Sequence, residues 1–400
     1  MNPSEFTKVF RQLDEALVDN DTLWRPRPFT LTDLPWCNTH PRLKEALLAL
    51  SDLEACELHR NPQARVAWFR QYEPDLCDLL YGFEPPCAVS VTNLVPGRFD
   101  NVAIPGRKWA QVTAFASALP HSHIPLVDWC AGKGHLSRTI QNHQQQTVHC
   151  LEWDAALVAS GLALAKKQRL DIQYHHHDVT EALPAVCSEP ETVHIGLHAC
   201  GDLNAHMLRH VVASSARAVA LSPCCYHKIA GSHYQPLSAA AKASKLVLDS
   251  KDLHLAVEET ATGGRGERLL REQERLWRLG FDELQRDCRS CDRYLNVPSI
   301  KRSLLRDDFP AFCRWAAKTR ELQLPTKVDY DAYLQRGREK YRQVFRLELL
   351  RRIFNRPLEL WLVLDRALYL EEQGYRVSVC NFCDSEVSPR NILIRGQRAV

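Results

Sequence analysis

Residues 3–81 carry apolar positions at intervals of three and four, separated by polar residues. This spacing puts the apolar side chains on one face of a helix, and it predicts helices in SEFTKVFRQLDEALVD and HPRLKEALLALSDLEACEL. Prolines interrupt the pattern between these segments and again in EPPCAVSVTNLVPGRFDN, which predicts a linker with extended pieces. We therefore expect a helical N-terminal region followed by a linker.

A different rhythm begins near residue 124, where short β-prone runs alternate with helical patterns. Such alternation predicts βαβ units and a parallel sheet. The five runs are IPLVDW, TVHCLEW, DIQYHHHDV, ETVHIGLHA and ARAVALSP.

The C-terminal residues have a third pattern. PLELWLVLDRALYLEEQGY predicts a long amphipathic helix that ends at Gly374. RVSVCNF and NILIRGQ follow as two strands, and their connection is too short for a crossover helix, so antiparallel pairing is expected.

The predicted fold class is therefore α/β. We expect a Rossmann-like, mostly parallel sheet with a C-terminal antiparallel hairpin, an N-terminal helical region and a helical insertion. The predicted segments are 1–104 for the helical region and linker, 105–235 for the first part of the sheet domain, 236–354 for the insertion, and 355–400 for the last helix and hairpin.

Charge is unevenly distributed along the 400 residues. The net charge is +3, but residues 263–356 contain 23 Lys and Arg against 14 Asp and Glu, a balance of +9, so the remainder sums to −6. A basic region of this kind indicates a polyanionic partner, and a merely well-solvated arginine-rich surface is the alternative. The composition, 45% hydrophobic and 25% charged, excludes a disordered chain.

The 15 cysteines lie mostly in apolar or helical stretches. We expect no secretory leader, because acids interrupt the first residues, and no membrane partner, because no apolar run reaches the ~18 residues of a span. Reduced thiols in a cytoplasmic protein follow. Cys288/Cys291 and Cys380/Cys383 have zinc-ligand spacing, but their wide separation and the missing knuckle glycines count against one shared site, and no metal is expected.

The segment LVDWCAGKGHLSRTI, residues 126–140, leads from a predicted strand through a loop into a helix. Ligands of doubly wound sheets bind beyond the carboxyl ends of the strands, where Asp128 and Cys130 stand. Gly132 and Gly134 would let the backbone approach a ligand, and the first helical N–H groups favour a carboxylate or phosphate. This loop is the predicted ligand site.

Three later residues extend the predicted site. Glu152 ends the second strand and could accept hydrogen bonds from ribose hydroxyls, while Asp178 and Val179 after the third strand could bracket an adenine. A dinucleotide and S-adenosylmethionine both fit these parts. Ser137 replaces the last glycine of the dinucleotide motif, and Asp128 would repel a pyrophosphate but tolerate a sulfonium with an ammonium group. The pattern thus favours S-adenosylmethionine as cofactor.

VDWCAGKGHLS resembles the first motif of the class I S-adenosylmethionine-dependent methyltransferases, with cysteine in place of a usual glycine. GLHACGDLNAHMLR and ALSPCCYHK resemble a branch of methyltransferase-like proteins marked by H-x-C-G-D-L and P-C-C-Y, which is distantly similar to eukaryotic tRNA ribose 2′-O-methyltransferases. SPRNILI is similar to the end of that branch. The resemblance covers residues 105–230 and 357–398 and implies methyl transfer.

Methyl transfer needs in-line alignment and a place for the acceptor's proton. His198 ends the fourth strand beside the predicted cofactor. After the fifth strand, Tyr226 could wall a planar acceptor, His227 could take a proton, and Lys228 could hold a phosphate. The alternatives are that Tyr226 packs in the interior and that His227 is a surface histidine.

Several residues have two interpretations. Lys108 opens a helix that covers the cofactor in this fold and could meet its carboxylate, or it could simply be solvated. Asp202 could cap the next helix or act in catalysis. Covalent catalysis by Cys224 or Cys225 is not expected, because vicinal cysteines in an apolar run usually pack. Nor can the histidines 175–177 share one ion, since alternate residues of a strand face opposite sides.

The predicted function is methyl transfer from S-adenosylmethionine to RNA, with tRNA one candidate. Basic helices that mix arginine with aromatic residues suit phosphates and unpaired bases. Two rivals stay open: a methyltransferase for a protein or small molecule, with the insertion as a lid, and a non-catalytic cofactor-binding module that associates with RNA.

Overall fold

The computed structural model describes residues 3–31, 33–88, 101, 104–258, 265–301 and 304–399. The seven strands of the described residues form one sheet in the order β3-β2-β1-β4-β5-β7-β6. The strands are β1 Leu126–Trp129, β2 Val148–Glu152, β3 Ile172–His176, β4 Val193–Cys200, β5 Ala218–Cys224, β6 Tyr375–Asn381 and β7 Ile392–Arg398. The α-helices are α1 Pro3–Asp19, α2 Asp21–Trp24, α3 Trp36–Thr39, α4 Pro41–Ala49, α5 Asp52–Arg60, α6 Pro62–Phe69, α7 Pro74–Tyr81, α8 Gly106–Ser117, α9 His135–Gln144, α10 Ala155–Gln168, α11 Asp202–Ala213, α12 Ala239–Ala243, α13 Ser250–Leu255, α14 Arg265–Arg289, α15 Phe309–Thr319, α16 Tyr330–Arg352 and α17 Asn355–Glu372.

The strand pairing confirms the predicted fold class. β1 to β5 pair in parallel, while β7 pairs antiparallel with both β5 and β6. The crossovers from β1 to β2, from β2 to β3 and from β4 to β5 contain α9, α10 and α11, and residues 177–192 lead from β3 to β4, whereas residues 382–391 join β6 to β7 without a helix. The carboxyl ends of β1 to β5 therefore lie along one edge of the sheet.

Apolar side chains of the sheet pack with those of α8 and α9 in one core cluster. Val112 and Phe115 of α8 pack with Leu136 and Ile140 of α9, together with Cys150 of β2. All five are at most 5% exposed. Burial of this kind contributes roughly 1.5–3 kcal/mol per large apolar side chain and fixes α8 and α9 on the sheet.

Helix α17 is buried on nearly every side, so the prediction of an amphipathic helix was wrong. The reason is a polar network that satisfies its two central charges. Asp365 accepts hydrogen bonds from the Tyr234 hydroxyl at 2.5 Å and from the Ser238 N–H at 2.7 Å. Arg366 donates to Asn204 at 2.7 Å. Buried charges are tolerated when all their groups are paired in this way.

The chain divides into two compact units. The first comprises Met1–Val18, Leu79–Glu258 and Asn355–Val400, and the second Asp19–Asp78 and Glu259–Phe354. These units cut across the four segments predicted along the chain, which remain a prediction. Part of the predicted linker, residues 89–100, lies outside the described residues.

The second unit is helical, with α14 packed on α16. Gly280 and Gly337 let the two helices approach closely, since a Cβ at Gly337 would lie 2.6 Å from the Gly280 Cα. Trp277, Phe281 and Phe312 form part of its aromatic core. Across the described residues of both units, no helix combines the length and apolar character needed to cross a bilayer.

Candidate active site

Asp128 is buried in β1, near the carboxyl end of the strand, and is held by Ser137 of α9. The Ser137 hydroxyl donates to Asp128 Oδ2 at 2.5 Å and accepts from the Cys150 thiol at 3.1 Å. Burial raises the pKa of Asp128 to about 7, while the Ser137 hydrogen bond and the Lys108 charge act in the lowering direction. Ser137, the residue that breaks the dinucleotide motif, is thus the partner of the acid.

The two loop glycines have different roles. Both are in the left-handed region, with φ +58° at Gly132 and +62° at Gly134. No heavy atom lies within 4 Å of where a Cβ of Gly132 would stand, so this side of the loop is open. A Cβ at Gly134 would lie 2.0 Å from the Tyr174 hydroxyl oxygen. The missing side chain of Gly134 makes room for Tyr174 of β3, and the ligand-approach role of Gly134 stays a prediction.

Glu152 ties the loop to β2. Its Oε2 accepts from the Gly132 N–H at 2.8 Å, and its Oε1 accepts from the Asp154 N–H at 3.0 Å. A carboxylate has about four lone-pair sites, so the same group retains capacity for ligand hydroxyls. Cys130 precedes this contact at φ +55°, and burial raises the pKa of its thiol to about 12, which keeps the thiol neutral.

The residues after β3 are placed as a polar and apolar pair. Asp178 is exposed and accepts from the N–H and the hydroxyl of Thr180 at 2.9 and 2.8 Å, and these hydrogen bonds lower its pKa. Val179 is buried. The Asp178 carboxylate is therefore fixed by hydrogen bonds within its own turn, and the buried Val179 follows it in the chain.

Lys108 lies in the first turn of α8. Desolvation lowers the pKa of Lys108, and the nearby carboxylate of Asp128 acts in the opposite direction. The Lys108 ammonium group is thus near enough to Asp128 for the two charges to interact. That Lys108 meets the cofactor carboxylate stays a prediction.

His198 stands near the end of β4 in a strained conformation. Its φ is +71°, uncommon for a residue with a side chain, and the β4–β5 register shifts between Leu197 and Cys200. Its Nε2 lies 3.2 Å from Oε1 of Gln111, on α8. Burial lowers the pKa of His198, so the ring is neutral at pH 7 and able to accept a proton. Strain at such positions is frequent in functional sites.

Tyr226 and His227 follow β5 in different surroundings. Tyr226 is 1% exposed, and the Arg366 guanidinium lies 5.1 Å from its ring centroid. This burial supports the packing alternative, and the prediction that Tyr226 walls an acceptor is corrected. His227 is half-buried, with its ring 4.9 Å from that of His254. Within the described residues, His227 Nδ1 is buried without a hydrogen-bond partner.

Lys228 and Asp202 join the loops after β4 and β5. The Lys228 side chain is exposed, and its backbone carbonyl accepts from the Asp202 N–H at 3.1 Å. The Asp202 carboxylate accepts from the Ala230 N–H at 2.7 Å. The predicted cap was therefore wrong, because Gly201 occupies the N-cap position at φ +55° and Asp202 binds the neighbouring loop.

Three thiols meet at the same edge, an arrangement that the sequence did not predict. The Sγ atoms of Cys200, Cys224 and Cys225 all lie within 4.8 Å of one another. The Cys200 and Cys224 sulfurs are 3.4 Å apart. Hydrogen bonds from Cys200 and Cys224 lower the pKa of Cys225, and the charge of Lys228 adds to this effect.

The metal-ligand patterns noted in the sequence, histidines 175–177 and the two Cys-x-x-Cys pairs, are dispersed. His175 pairs with His149 at 3.2 Å, whereas the next residue, His176, contacts the Trp153 carbonyl at 2.8 Å, as expected for alternating faces. Cys380 is buried within the apolar core of the first unit. Among the described residues, neither Cys-x-x-Cys pair belongs to a group of three potential metal ligands.

Comparison with protein families identifies the part of the chain that carries this site. Residues 107–232 match the family model of a methyltransferase domain. The matched range contains β1 to β5 and every predicted site residue from Lys108 to Lys228.

Similar solved structures include the YcgJ protein from Bacillus subtilis, at 11% identity over 73% of this chain and 99% of that one, with a TM-score of 0.27. Coclaurine N-methyltransferase is 13% identical over 79% of this chain and 95% of that one, with a TM-score of 0.27. The 23S rRNA methyltransferase ErmE is 16% identical over 28% of this chain, with a TM-score of 0.23. The chain spans only 44% of ErmE's length and 53% of a methyltransferase from Clostridium acetobutylicum.

The site fits S-adenosylmethionine in charge and in space. Asp128 offers a carboxylate for the ammonium group, and Glu152 offers a second one for ribose hydroxyls. The space beside Gly132 is open, and a residue with a side chain at this position would fill it. Lys108 supplies a positive charge for the cofactor carboxylate.

Proposed function

We propose that the whole protein is an S-adenosylmethionine-dependent methyltransferase whose acceptor is RNA. The observation that carries the enzymatic part is the loop after β1, where Asp128 is buried, Glu152 holds the backbone and Gly132 is open. When bound, the cofactor supplies an electrophilic methyl group on a positively charged sulfur.

The residues of this chain have three proposed tasks. Asp128 and Lys108 bind the charged ends of the cofactor's amino-acid part, and Glu152 orients its ribose. His198 is neutral and hydrogen-bonded to Gln111, so it can receive the acceptor's proton. Alignment of acceptor, methyl carbon and sulfur then supplies much of the acceleration.

The RNA part rests on the surface charge of the second unit. Many of its cations are neutralised by ion pairs, such as Arg275 with Glu348 at 2.5 Å and Lys340 with Asp282 at 2.8 Å. Other cations are exposed and have no ion-pair partner among the residues that the structure describes. These are Arg314 and Lys318 on α15, Arg320 after it, and Arg338 and Arg342 on α16.

Their spacing supports a phosphate-binding surface. Arg314 and Lys318 are four residues apart, as are Arg338 and Arg342, so each pair lies on one helix face. Trp315, half-buried beside Arg314, adds an aromatic ring for stacking. Unpaired exposed cations are the groups that release counterions when they bind phosphates.

The test of the acceptor is incubation of the full chain with methyl-labelled cofactor and separated RNA, protein and metabolite fractions. The proposal expects label in RNA, with tRNA as the first fraction to be compared against ribosomal RNA. Label in protein or small molecules alone would support the alternative of a methyltransferase for a protein or small molecule, with the insertion as a lid. Cofactor binding without any transfer would support the non-catalytic rival.

A second test separates charge from structure. Arg314→Gln combined with Lys318→Gln is expected to weaken RNA binding and to reduce the salt slope by about one for each lost phosphate contact. Arg271→Gln is the matched control, because Arg271 is already paired with Glu267 at 2.9 Å. Equal salt slopes for all three proteins would count against this surface.

A further inference from the structure

We infer that Cys200, Cys224 and Cys225 form a zinc-binding site at the carboxyl ends of β4 and β5. This inference does not depend on the proposed methyl transfer, and it departs from the expectation of no metal drawn from the sequence.

Backbone geometry brings the three thiols together. Cys200 is the last residue of β4 and Cys224 the last of β5, and they are register partners across the parallel pair. Cys225 follows immediately, and consecutive residues of an extended strand would point to opposite faces. Its left-handed backbone, φ +48°, turns the chain so that its thiol reaches the other two.

The spacing of the sulfurs suits a tetrahedral zinc ion. Zn–S bonds of about 2.3 Å in tetrahedral geometry place sulfurs roughly 3.8 Å apart. The Cys200–Cys224 distance is 3.4 Å, and all pairs are within 4.8 Å. Small side-chain rotations would therefore place three thiolates around one ion.

Three protein ligands leave one tetrahedral position for water or another group, which is the pattern of catalytic zinc sites. The surroundings permit this, since Cys200 and Cys225 are only half-buried. A zinc ion with three thiolates carries a net charge of −1, and the Lys228 ammonium group, close enough to influence both Cys200 and Cys225, offsets it.

A second group of possible ligands consists of His149, His175 and Cys187. Its two imidazoles already pair with each other at 3.2 Å, and Cys187 is fully buried. Because the two rings pair with each other without an ion, we expect this group to bind no zinc. A variant of this group therefore serves as the internal control.

The experiment loads the reduced full chain with one equivalent of Zn²⁺, dialyses it against metal-free buffer and measures zinc per chain. We expect about one zinc per chain, and at least about a fivefold loss in Cys200→Ser and Cys225→Ser. His149→Ala should keep the zinc. Thermal melting of the variants in the absence of metal checks that they fold.

Co²⁺ replaces Zn²⁺ in a parallel sample, because the intensity of its sulfur-to-metal charge-transfer band reports the number of thiolates. A three-thiolate band is expected. Failure of the wild-type chain to retain metal, retention by both cysteine variants, or a one-thiolate band that disappears in His149→Ala would each overturn the site. A separate cofactor titration of the metal-free chain tests the proposed function independently.

Discussion

The carboxyl ends of β1 and β2 and those of β4 and β5 lie along one edge of the sheet but are built differently. At β1 and β2 the polar groups are carboxylates held by short hydrogen bonds, with Asp128 bound to Ser137 and Glu152 to the Gly132 N–H. At β4 and β5 they are imidazoles and thiols, and positive φ occurs at His198 and Cys225, as it also does at Cys130 after β1.

The difference corresponds to two tasks. Carboxylates suit the positively charged ammonium group and the hydrogen-bond-donating ribose hydroxyls of the proposed cofactor. Neutral imidazoles and polarisable thiols suit the transfer of a proton or the binding of a metal. Under the proposed function, one half of this edge binds the cofactor and the other half takes part in the reaction.

The largest effect is expected from His198→Asn, which keeps a residue that tolerates left-handed backbone. If His198 receives the acceptor's proton, the rate of label transfer into RNA should fall by about 10²-fold or more. The cofactor dissociation constant should stay unchanged, as measured by calorimetry. An unaltered transfer rate would remove His198 from the reaction.

Gly134→Ala is expected to lower the free energy of unfolding by about 3 kcal/mol, because it adds left-handed strain and an overlap with Tyr174. Urea unfolding measures the loss. Combining it with Tyr174→Phe removes the hydroxyl that the new Cβ would meet at 2.0 Å, so part of the stability should return. No recovery in the double variant would show that the overlap is not the cause.

Gly132→Ala should lower the free energy of unfolding by a smaller amount, about 1–2 kcal/mol. The new methyl group meets no neighbouring atom, so only the left-handed backbone disfavours alanine. Its main effect should be on cofactor affinity, since the methyl group enters the open side of the loop. Calorimetric titration of Gly132→Ala and Gly134→Ala with the cofactor, run in parallel, distinguishes the roles of the two glycines. A Gly132 variant that binds the cofactor as tightly as wild type would place the ligand elsewhere.

Ser137→Ala is expected to have the smallest effect. The hydroxyl now lowers the pKa of Asp128, so its loss should raise that pKa further. The pH midpoint of cofactor binding should move upward by the same amount. A midpoint that stays in place would mean that the Ser137 hydrogen bond does not act on the ionised carboxylate.

Much of the sheet could be predicted because its strands are short apolar runs separated by helical patterns, as in LVDW and VHCLE. Asp128 and Glu152 followed from their places at strand ends. The role of Gly134 could not be predicted, since it depends on Tyr174, which lies forty residues along the chain and reaches the loop only through the β2–β3 register.

The other end of the sheet was harder to predict for a similar reason. Tyr226 is buried by Arg366 of a helix that comes much later in the sequence. The meeting of Cys200 with Cys225 needs both the β4–β5 register and a left-handed turn. Local hydrophobic patterns contain neither kind of information.

The central claim is that the loop after β1 binds S-adenosylmethionine through ionised Asp128. The pKa of Asp128 is raised to about 7, so the carboxylate is mostly protonated at pH 6 and mostly ionised at pH 8. Calorimetric titration should therefore give about tenfold tighter binding at pH 8 than at pH 6, since each unit below the pKa costs about 1.4 kcal/mol. Asp128→Asn should bind at least about tenfold more weakly at pH 8, with no pH dependence. The absence of binding by the wild-type chain, or an affinity of Asp128→Asn that equals the wild-type affinity at both pH values, would contradict the account.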